Sequence, residues 1–123
     1  MKKKILLVDD SEFVRNFHSG ILAKANFEVL TAVDGNDGLE KLFTHPCDLI
    51  LTDINMAHMD GYEFIRRVRA EPQYQELPII IISTEGQNAD KRKGFEAGAN
   101  LYLVKPSEPE QIVENIRLVL AGK

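Results

Sequence analysis

The chain has 123 residues, 44% of them hydrophobic, which suits a single domain with one sizeable core. Its formal net charge of −4 argues against direct binding to nucleic acid or to an anionic membrane surface. The lone Cys47 excludes an internal disulfide, and no apolar run approaches the roughly 20 residues that cross a bilayer. This composition indicates a cytoplasmic protein without membrane insertion.

Short apolar runs predict the strands of a parallel sheet. Continuous runs lie at residues 5–8, 49–51, 79–82 and 101–104, as expected for strands covered on both faces. A more mixed run at 28–32 is typical of an edge strand. A helical pattern follows each run, so strand and helix alternate five times. The chain is therefore predicted to form one domain over residues 1–123, with a doubly wound α/β sheet.

Two of the helices carry clear signals. In the first, Phe13, Phe17 and Ile21 recur every four residues and predict an apolar stripe that faces the core, with Val14 and Leu22 at its flank. The last helix is expected to begin with a capping box formed by Ser107 and Glu110.

The fourth helix, at residues 88–97, is the weakest. It has only three apolar side chains, Ala89, Phe95 and Ala97, and a basic run at 91–93. A helix that buries so little should be loosely held, and its face is a candidate moving part and docking surface.

Polar residues follow four of the strands, at the position where open α/β sheets bind ligands. They are Asp9, Asp10, Asp53, Ser83 and Lys105. Each has an ordinary explanation when taken alone. Asp10 could cap the first helix, Asp53 could be a turn residue, and Ser83 could bond to neighbouring backbone. Lys105 alone would be a solvated surface charge.

Together these residues predict a more specific chemistry. Three carboxylates brought close together repel one another, so the fold needs a cation among them. Oxygen ligands suit Mg²⁺ better than zinc. A carboxylate beside a hard cation, a lysine and a hydroxyl is suited to accepting a phosphoryl group. The residues therefore favour an aspartyl phosphate.

The sequence resembles the response-regulator receiver family of two-component signalling, and its single-domain chemotaxis regulators most of all. Five motifs carry the resemblance, in the family's order and at predicted strand ends. They are ILLVDD at 5–10, DINM at 53–56 with MDG at 59–61, IIIIS at 79–83, AGA at 97–99, and YLVKP at 102–106.

The resemblance implies a role for each matching residue. Asp53 would be the phosphoacceptor. Mg²⁺ would be held by Asp10, Asp53 and the backbone carbonyl of Asn55, with Asp9 acting through water. Lys105 would pair first with the acid and then with the phosphate.

The resemblance also implies the switch and the strand order. Ser83 would be the switch hydroxyl, and Tyr102 the aromatic that moves inward on activation. Asn55 and Glu85 match the positions that tune dephosphorylation in fast-cycling chemotaxis regulators. The implied strand order is 2-1-3-4-5.

Two departures from the family pattern qualify the resemblance. Ala57 stands where proline is common, so the loop after Asp53 is expected to be looser. Ser107 replaces the phenylalanine typical of many DNA-binding regulators, which points away from that subgroup.

The predicted function is a regulated binding module rather than an enzyme. A sensor histidine kinase or phosphotransfer protein would phosphorylate Asp53. The face made by helix 4, strand 5 and helix 5 would then change its affinity for a downstream protein. The chain would be a monomer or a weak dimer.

Three alternatives stand beside this reading. One is an aspartyl-phosphate hydrolase of the haloacid-dehalogenase type, although that family has Asp-x-Asp after its first strand and this chain has Asp9-Asp10. Another is a receiver excised from a larger DNA-binding or enzymatic regulator. The third is a degenerate receiver that acts only as a scaffold.

Overall fold

The computed structural model describes residues 2–122 and confirms the alternation of five strands with five helices. A short 3₁₀ helix, Pro72–Tyr74, precedes the fourth strand. The elements are β1 Lys4–Val8, α1 Glu12–Lys24, β2 Glu28–Ala32, α2 Gly35–Thr44, β3 Leu49–Thr52, α3 Gly61–Arg69, β4 Ile79–Ser83, α4 Asn88–Ala97, β5 Leu101–Val104 and α5 Pro109–Ala121.

The five strands form one parallel sheet in the predicted order β2-β1-β3-β4-β5. Every residue of β3 and β4 is buried, because helices cover both faces of the sheet. The outer strands β2 and β5 are only partly buried, as edge strands are. The prediction of β2 as an edge strand is confirmed. The strand order implied by the resemblance makes β5 the other edge, and this is confirmed too.

Alternate residues of each central strand supply two core layers. On one face, Leu6 and Val8 belong to a cluster that includes Phe64 of α3. On the other face, Ile5 and Leu7 belong to a cluster that includes Ile116 of α5. The two layers hold the strands rigidly, so the residues after the strand ends are well positioned.

The face that α1 presents to the sheet differs from the prediction. Phe13 is 82% exposed and Phe17 is 53% exposed, whereas His18 and Leu22 are buried. Contacts at the start of the helix set its rotation: the side chain of Ser11 accepts from Val14 N, and Arg15 donates to the backbone oxygen of Asp9 at 2.7 Å. The predicted centre of the stripe was therefore wrong by one residue, about 100° of helix rotation, whereas Leu22 at its flank is buried as expected.

The capping box predicted for α5 is also wrong. Glu108 occupies the N-cap without a side-chain cap bond, and Pro109 is the first helical residue. Ser107 instead donates its hydroxyl to the backbone oxygen of Val104 at 2.7 Å. Proline at the first helical position, with no N–H to satisfy, makes this later start favourable.

α4 has few buried side chains, as expected. Only Gly94 and Ala97 of the helix are buried, and Phe95 is 49% exposed. Across residues 2–122, no helix combines the length and the apolar character that a bilayer span requires.

Candidate functional site

The carboxyl ends of the strands meet at one edge of the sheet. Val8 pairs with Thr52, so the residues that follow them, Asp9 and Asp53, come side by side. Asp53 N donates to the backbone oxygen of Val8 at 3.0 Å, which continues the ladder beyond the strands. The register of β1 and β3 thus brings together two residues that are 44 positions apart in the chain.

Three carboxylates form a cluster at this edge. Oxygen atoms of Asp9, Asp10 and Asp53 all lie within 4.8 Å of one another. Asp9 is 1% exposed, and one of its oxygens accepts from Ser11 N at 2.9 Å. Asp10 faces solvent, and Asp53 is partly buried. One oxygen of Asp53 accepts from Ile54 N at 2.7 Å.

Lys105 is the cation that contacts this cluster. Its Nζ atom lies 3.1 Å from an oxygen of Asp53 and 3.3 Å from an oxygen of Asp9. All three side chains are at least 85% buried, so solvent screens these pairs weakly. Among residues 2–122, one ammonium beside three carboxylates leaves two negative charges uncompensated.

The donor atoms of this cluster fit Mg²⁺. All are carboxylate oxygens, and the exposed position of Asp10 leaves room for the water ligands that Mg²⁺ retains. Within residues 2–122, no lysine, arginine or histidine pairs with Asp10. The excess negative charge and the all-oxygen chemistry together make a hard divalent cation the group that these residues suit.

Glu85 connects the end of β4 to Tyr102. Glu85 N donates to the buried hydroxyl oxygen of Ser83 at 3.1 Å. The hydroxyl of Tyr102 donates to the backbone oxygen of Glu85 at 2.6 Å. Ser83 thus binds the backbone N–H of Glu85, and Tyr102 binds its backbone carbonyl. The half-buried ring of Tyr102 already packs against the core in this structure.

Asn55 and Glu85 also meet directly. The Asn55 side chain donates from Nδ2 to Oε1 of Glu85 at 3.1 Å. One residue lies in the loop after β3 and the other in the loop after β4, and both are exposed. This hydrogen bond therefore bridges the two loops that flank Asp53.

Two tyrosine hydroxyls near α4 have raised pKa values. Burial is the largest cause at both Tyr62 and Tyr102, and the neighbouring carboxylate of Asp90 adds to both shifts. Both hydroxyls therefore stay protonated and remain hydrogen-bond donors at neutral pH.

Two buried residues near the site were not predicted from the sequence to have a role. Tyr62 is 6% exposed, and its hydroxyl donates to the backbone oxygen of Asp90 in α4 at 3.1 Å. His18 is 4% exposed, and its buried Nδ1 atom has no hydrogen-bond partner in the described part of the chain, residues 2–122. Burial lowers the pKa of His18, and the charge of Lys105 lowers it further. Val14, His18 and Leu22 recur every four residues, and this helical spacing could have indicated that His18 is buried.

Comparison with known proteins decides the family. The model of the response regulator receiver domain matches residues 5–117. The chain belongs to the response-regulator receiver family. This confirms the resemblance inferred from the five motifs, and with it the regulatory class of protein.

Individual relatives agree with this assignment. The chemotaxis protein CheY1 of Helicobacter pylori strain J99 is 38% identical over 119 residues, which cover 95% of this chain and 96% of CheY1. The response regulator ArlR of Staphylococcus aureus is also 38% identical, over 95% of this chain but 52% of ArlR.

A solved structure supports the fold. The chemotaxis protein CheY4 of Vibrio cholerae superposes with a TM-score of 0.92 at 39% identity, covering 97% of this chain and 99% of that one. The flavodoxin-like receiver fold is therefore shared with a chemotaxis regulator.

Proposed function

We propose that this receiver is a phosphorylation-operated switch whose phosphoacceptor is Asp53. The main support for this proposal is the environment of the Asp53 carboxylate. It lies in a cluster with Asp9 and Asp10, and it contacts Lys105 at 3.1 Å. Residues 1–123 would act as one receiver domain that receives its phosphoryl group from a sensor histidine kinase or a phosphotransfer protein.

In the phosphoryl transfer, a carboxylate oxygen of Asp53 forms a bond to phosphorus. The bond between phosphorus and the donor histidine nitrogen breaks, and the imidazole leaves with the electron pair and takes up a proton. Lys105, already 3.1 Å from Asp53, is close enough to neutralise charge on a phosphoryl oxygen. The protein thus acts mainly by holding these charges in position.

The metal would be held by oxygen ligands. We assign Asp10, Asp53 and the backbone carbonyl of Asn55 as direct ligands, with Asp9 acting through water. The two oxygens of Asp9 are already engaged by Ser11 N and by Lys105, which supports an indirect role. Bound Mg²⁺ would supply positive charge beside Asp53 and the incoming phosphoryl oxygens.

The switch would begin at Ser83. Its hydroxyl oxygen now accepts from Glu85 N. If Ser83 turns and donates its hydroxyl to the phosphoryl group, that contact is given up for a charge-assisted bond worth about 1.5–3 kcal/mol. Glu85 is then released at its N–H, and Tyr102, which holds the Glu85 carbonyl, moves with it.

The output would be a changed protein-docking face formed by α4, β5 and α5. α4 has little buried surface of its own, so a small free-energy change is enough to shift it. The output partner would be a downstream protein that recognises this face.

The alternatives differ in how well they agree with these findings. The receiver match over residues 5–117 argues against a haloacid-dehalogenase hydrolase. The complete set of acids, serine and lysine argues against a scaffold without phosphorylation. ArlR and CheY1 are equally identical to this chain, so a receiver acting within a longer regulator stays an alternative to a stand-alone one.

The proposal is tested by intact-mass measurement. The wild-type chain is incubated with acetyl phosphate and Mg²⁺, and it should gain the mass of one phosphate. Asp53→Asn should gain none, because the amide is not a nucleophile for phosphorus. Omission of Mg²⁺, or the Asp10→Asn substitution, should strongly slow the reaction. An adduct of equal yield on Asp53→Asn would overturn the assignment.

A further inference from the structure

Tyr62 joins α3 to α4. It is the second residue of α3, and its hydroxyl donates to the backbone oxygen of Asp90 in α4 at 3.1 Å. Lys93, also in α4, places its ammonium 4.8 Å from the centre of the Tyr62 ring. One buried side chain of α3 therefore makes two polar contacts with α4, one in its first turn and one near its middle.

These contacts matter because α4 has little else to hold it. The buried residues of the helix are Gly94 and Ala97, which offer almost no side-chain surface. On the β5 side, the ring of Tyr102 packs so closely that a Cβ atom at Gly94 would lie 3.0 Å from it. α4 is thus held between two tyrosines, Tyr62 from α3 and Tyr102 from β5.

The C-terminal end of α4 is anchored separately. The guanidinium of Arg69 donates to the backbone oxygen of Gly98 at 3.0 Å from Nε and 2.8 Å from a terminal nitrogen. Because this end is fixed, a displacement at Asp90 would move mainly the N-terminal half of the helix.

The start of α3 is in turn packed on the backbone of the phosphoacceptor. Gly61 N donates to the backbone oxygen of Ile54 at 2.8 Å. A Cβ atom at position 61 would overlap the carbonyl oxygen of Asp53, so only glycine permits this approach. A shift of the backbone at residues 53–54 therefore acts directly on the turn that carries Tyr62.

We propose that Tyr62 is a second coupling residue, which transmits movement of the Asp53–Ile54 backbone through Gly61 to the Asp90 carbonyl of α4. This route is parallel to the one through Ser83, Glu85 and Tyr102, and it rests on the proposed function. It makes the α3–α4 contact part of the switch. Burial and the neighbouring Tyr102 hydroxyl raise the pKa of Tyr62, so the hydroxyl remains a donor.

The test uses two matched substitutions. Tyr62→Phe removes the hydroxyl that bonds to α4 and that neighbours the hydroxyl of Tyr102. Tyr74→Phe is the control, because it also removes one tyrosine hydroxyl, which donates to the backbone oxygen of Leu42 at 3.2 Å. Hydrogen exchange of the α4 amides is measured in each full-length chain, before and after phosphorylation with acetyl phosphate and Mg²⁺.

Without phosphorylation, Tyr62→Phe should speed exchange in the first turns of α4 by about 2- to 12-fold, the range expected for loss of one ordinary hydrogen bond. Tyr74→Phe should leave α4 exchange unchanged. After phosphorylation, the further change in α4 exchange seen in the wild type should be reduced by at least about half in Tyr62→Phe and retained in Tyr74→Phe.

Two results would overturn the proposal. One is α4 exchange in Tyr62→Phe that matches the Tyr74→Phe control in both states. The other is faster α4 exchange in unphosphorylated Tyr62→Phe, combined with a change on phosphorylation as large as that of the wild type. That result would give Tyr62 a structural role only. Failure of the proposed function has a different signature, since no variant would then gain phosphate by mass.

Discussion

Breaking the hydrogen bond between Asn55 and Glu85 should shorten the lifetime of a phosphoryl group on Asp53. To hydrolyse the aspartyl phosphate, water must approach phosphorus in line, opposite the Asp53 oxygen. The Asn55 amide and the Glu85 carboxylate, 3.1 Å apart, bridge the loops that flank Asp53. We expect the bridge to obstruct this approach, so its loss should expose the phosphoryl group to water.

The size of the effect follows from the strength of the bond. Because both side chains are exposed, solvent weakens this bond to the carboxylate to the net strength of an ordinary hydrogen bond, about 0.5–1.5 kcal/mol. If all of that is lost from the barrier to water entry, the decay rate rises by roughly 2- to 12-fold. Asn55→Ala and Glu85→Ala should each produce this change, and the double substitution should produce little more than either alone, because the two side chains share one bond.

The assay follows the phosphorylated fraction by intact mass after rapid removal of the phosphodonor. The wild-type half-life is expected to be seconds to minutes. Glu85→Gln is the matched control, because it keeps an oxygen that can accept from Asn55 and should stay near the wild-type rate. The reasoning would be refuted by a wild-type half-life of many hours, or by single substitutions whose effects simply multiply in the double variant.

Three further predictions concern other parts of the molecule. Lys105→Ala should still gain phosphate with Mg²⁺, but it should lose the phosphorylation-dependent change in α4 exchange, because the phosphoryl group has no ionic tether. Burial lowers the pKa of His18 below its ordinary value of 6.5 in the folded protein. As the pH falls through 6.5, the unfolded chain therefore binds a proton at His18 before the folded chain does, and the free energy of unfolding decreases. In urea unfolding, His18→Leu should therefore lose less stability than the wild type between about pH 7.5 and about pH 5.5. Gly61→Ala should lower the melting temperature, because its Cβ atom would overlap the Asp53 carbonyl. If any of these three variants behaved like the wild type in its assay, the role inferred for that residue would be contradicted.

The arrangement of the strand ends was predictable because it depends on chain order and on the geometry of parallel sheets. Asp9, Asp53 and Lys105 each follow a short apolar run, and the right-handed crossovers leave few ways to order those runs. Their proximity could therefore be inferred before any distance was known, and the contacts of Lys105 with the two acids agree with it.

The rotation of α1 could not be predicted from the same kind of pattern. Phe13 and Phe17 have the spacing of a core stripe, but the helix is oriented by the Ser11 cap and by the bond from Arg15 to the Asp9 carbonyl. Such contacts depend on the geometry of the connection between β1 and α1, and hydrophobic periodicity carries no information about that geometry. Tyr62 was missed for a related reason, since its polar partner lies on a helix that is 28 positions away in the chain.

The most direct test of the central claim is to locate the phosphoryl group within the chain. Phosphorylated protein is treated with borohydride, which reduces an aspartyl phosphate to homoserine, and is then digested and sequenced by tandem mass spectrometry. We expect homoserine at position 53, and only when Mg²⁺ and the phosphodonor are both present. Homoserine at position 9 or 10, or an adduct that resists borohydride, would contradict it.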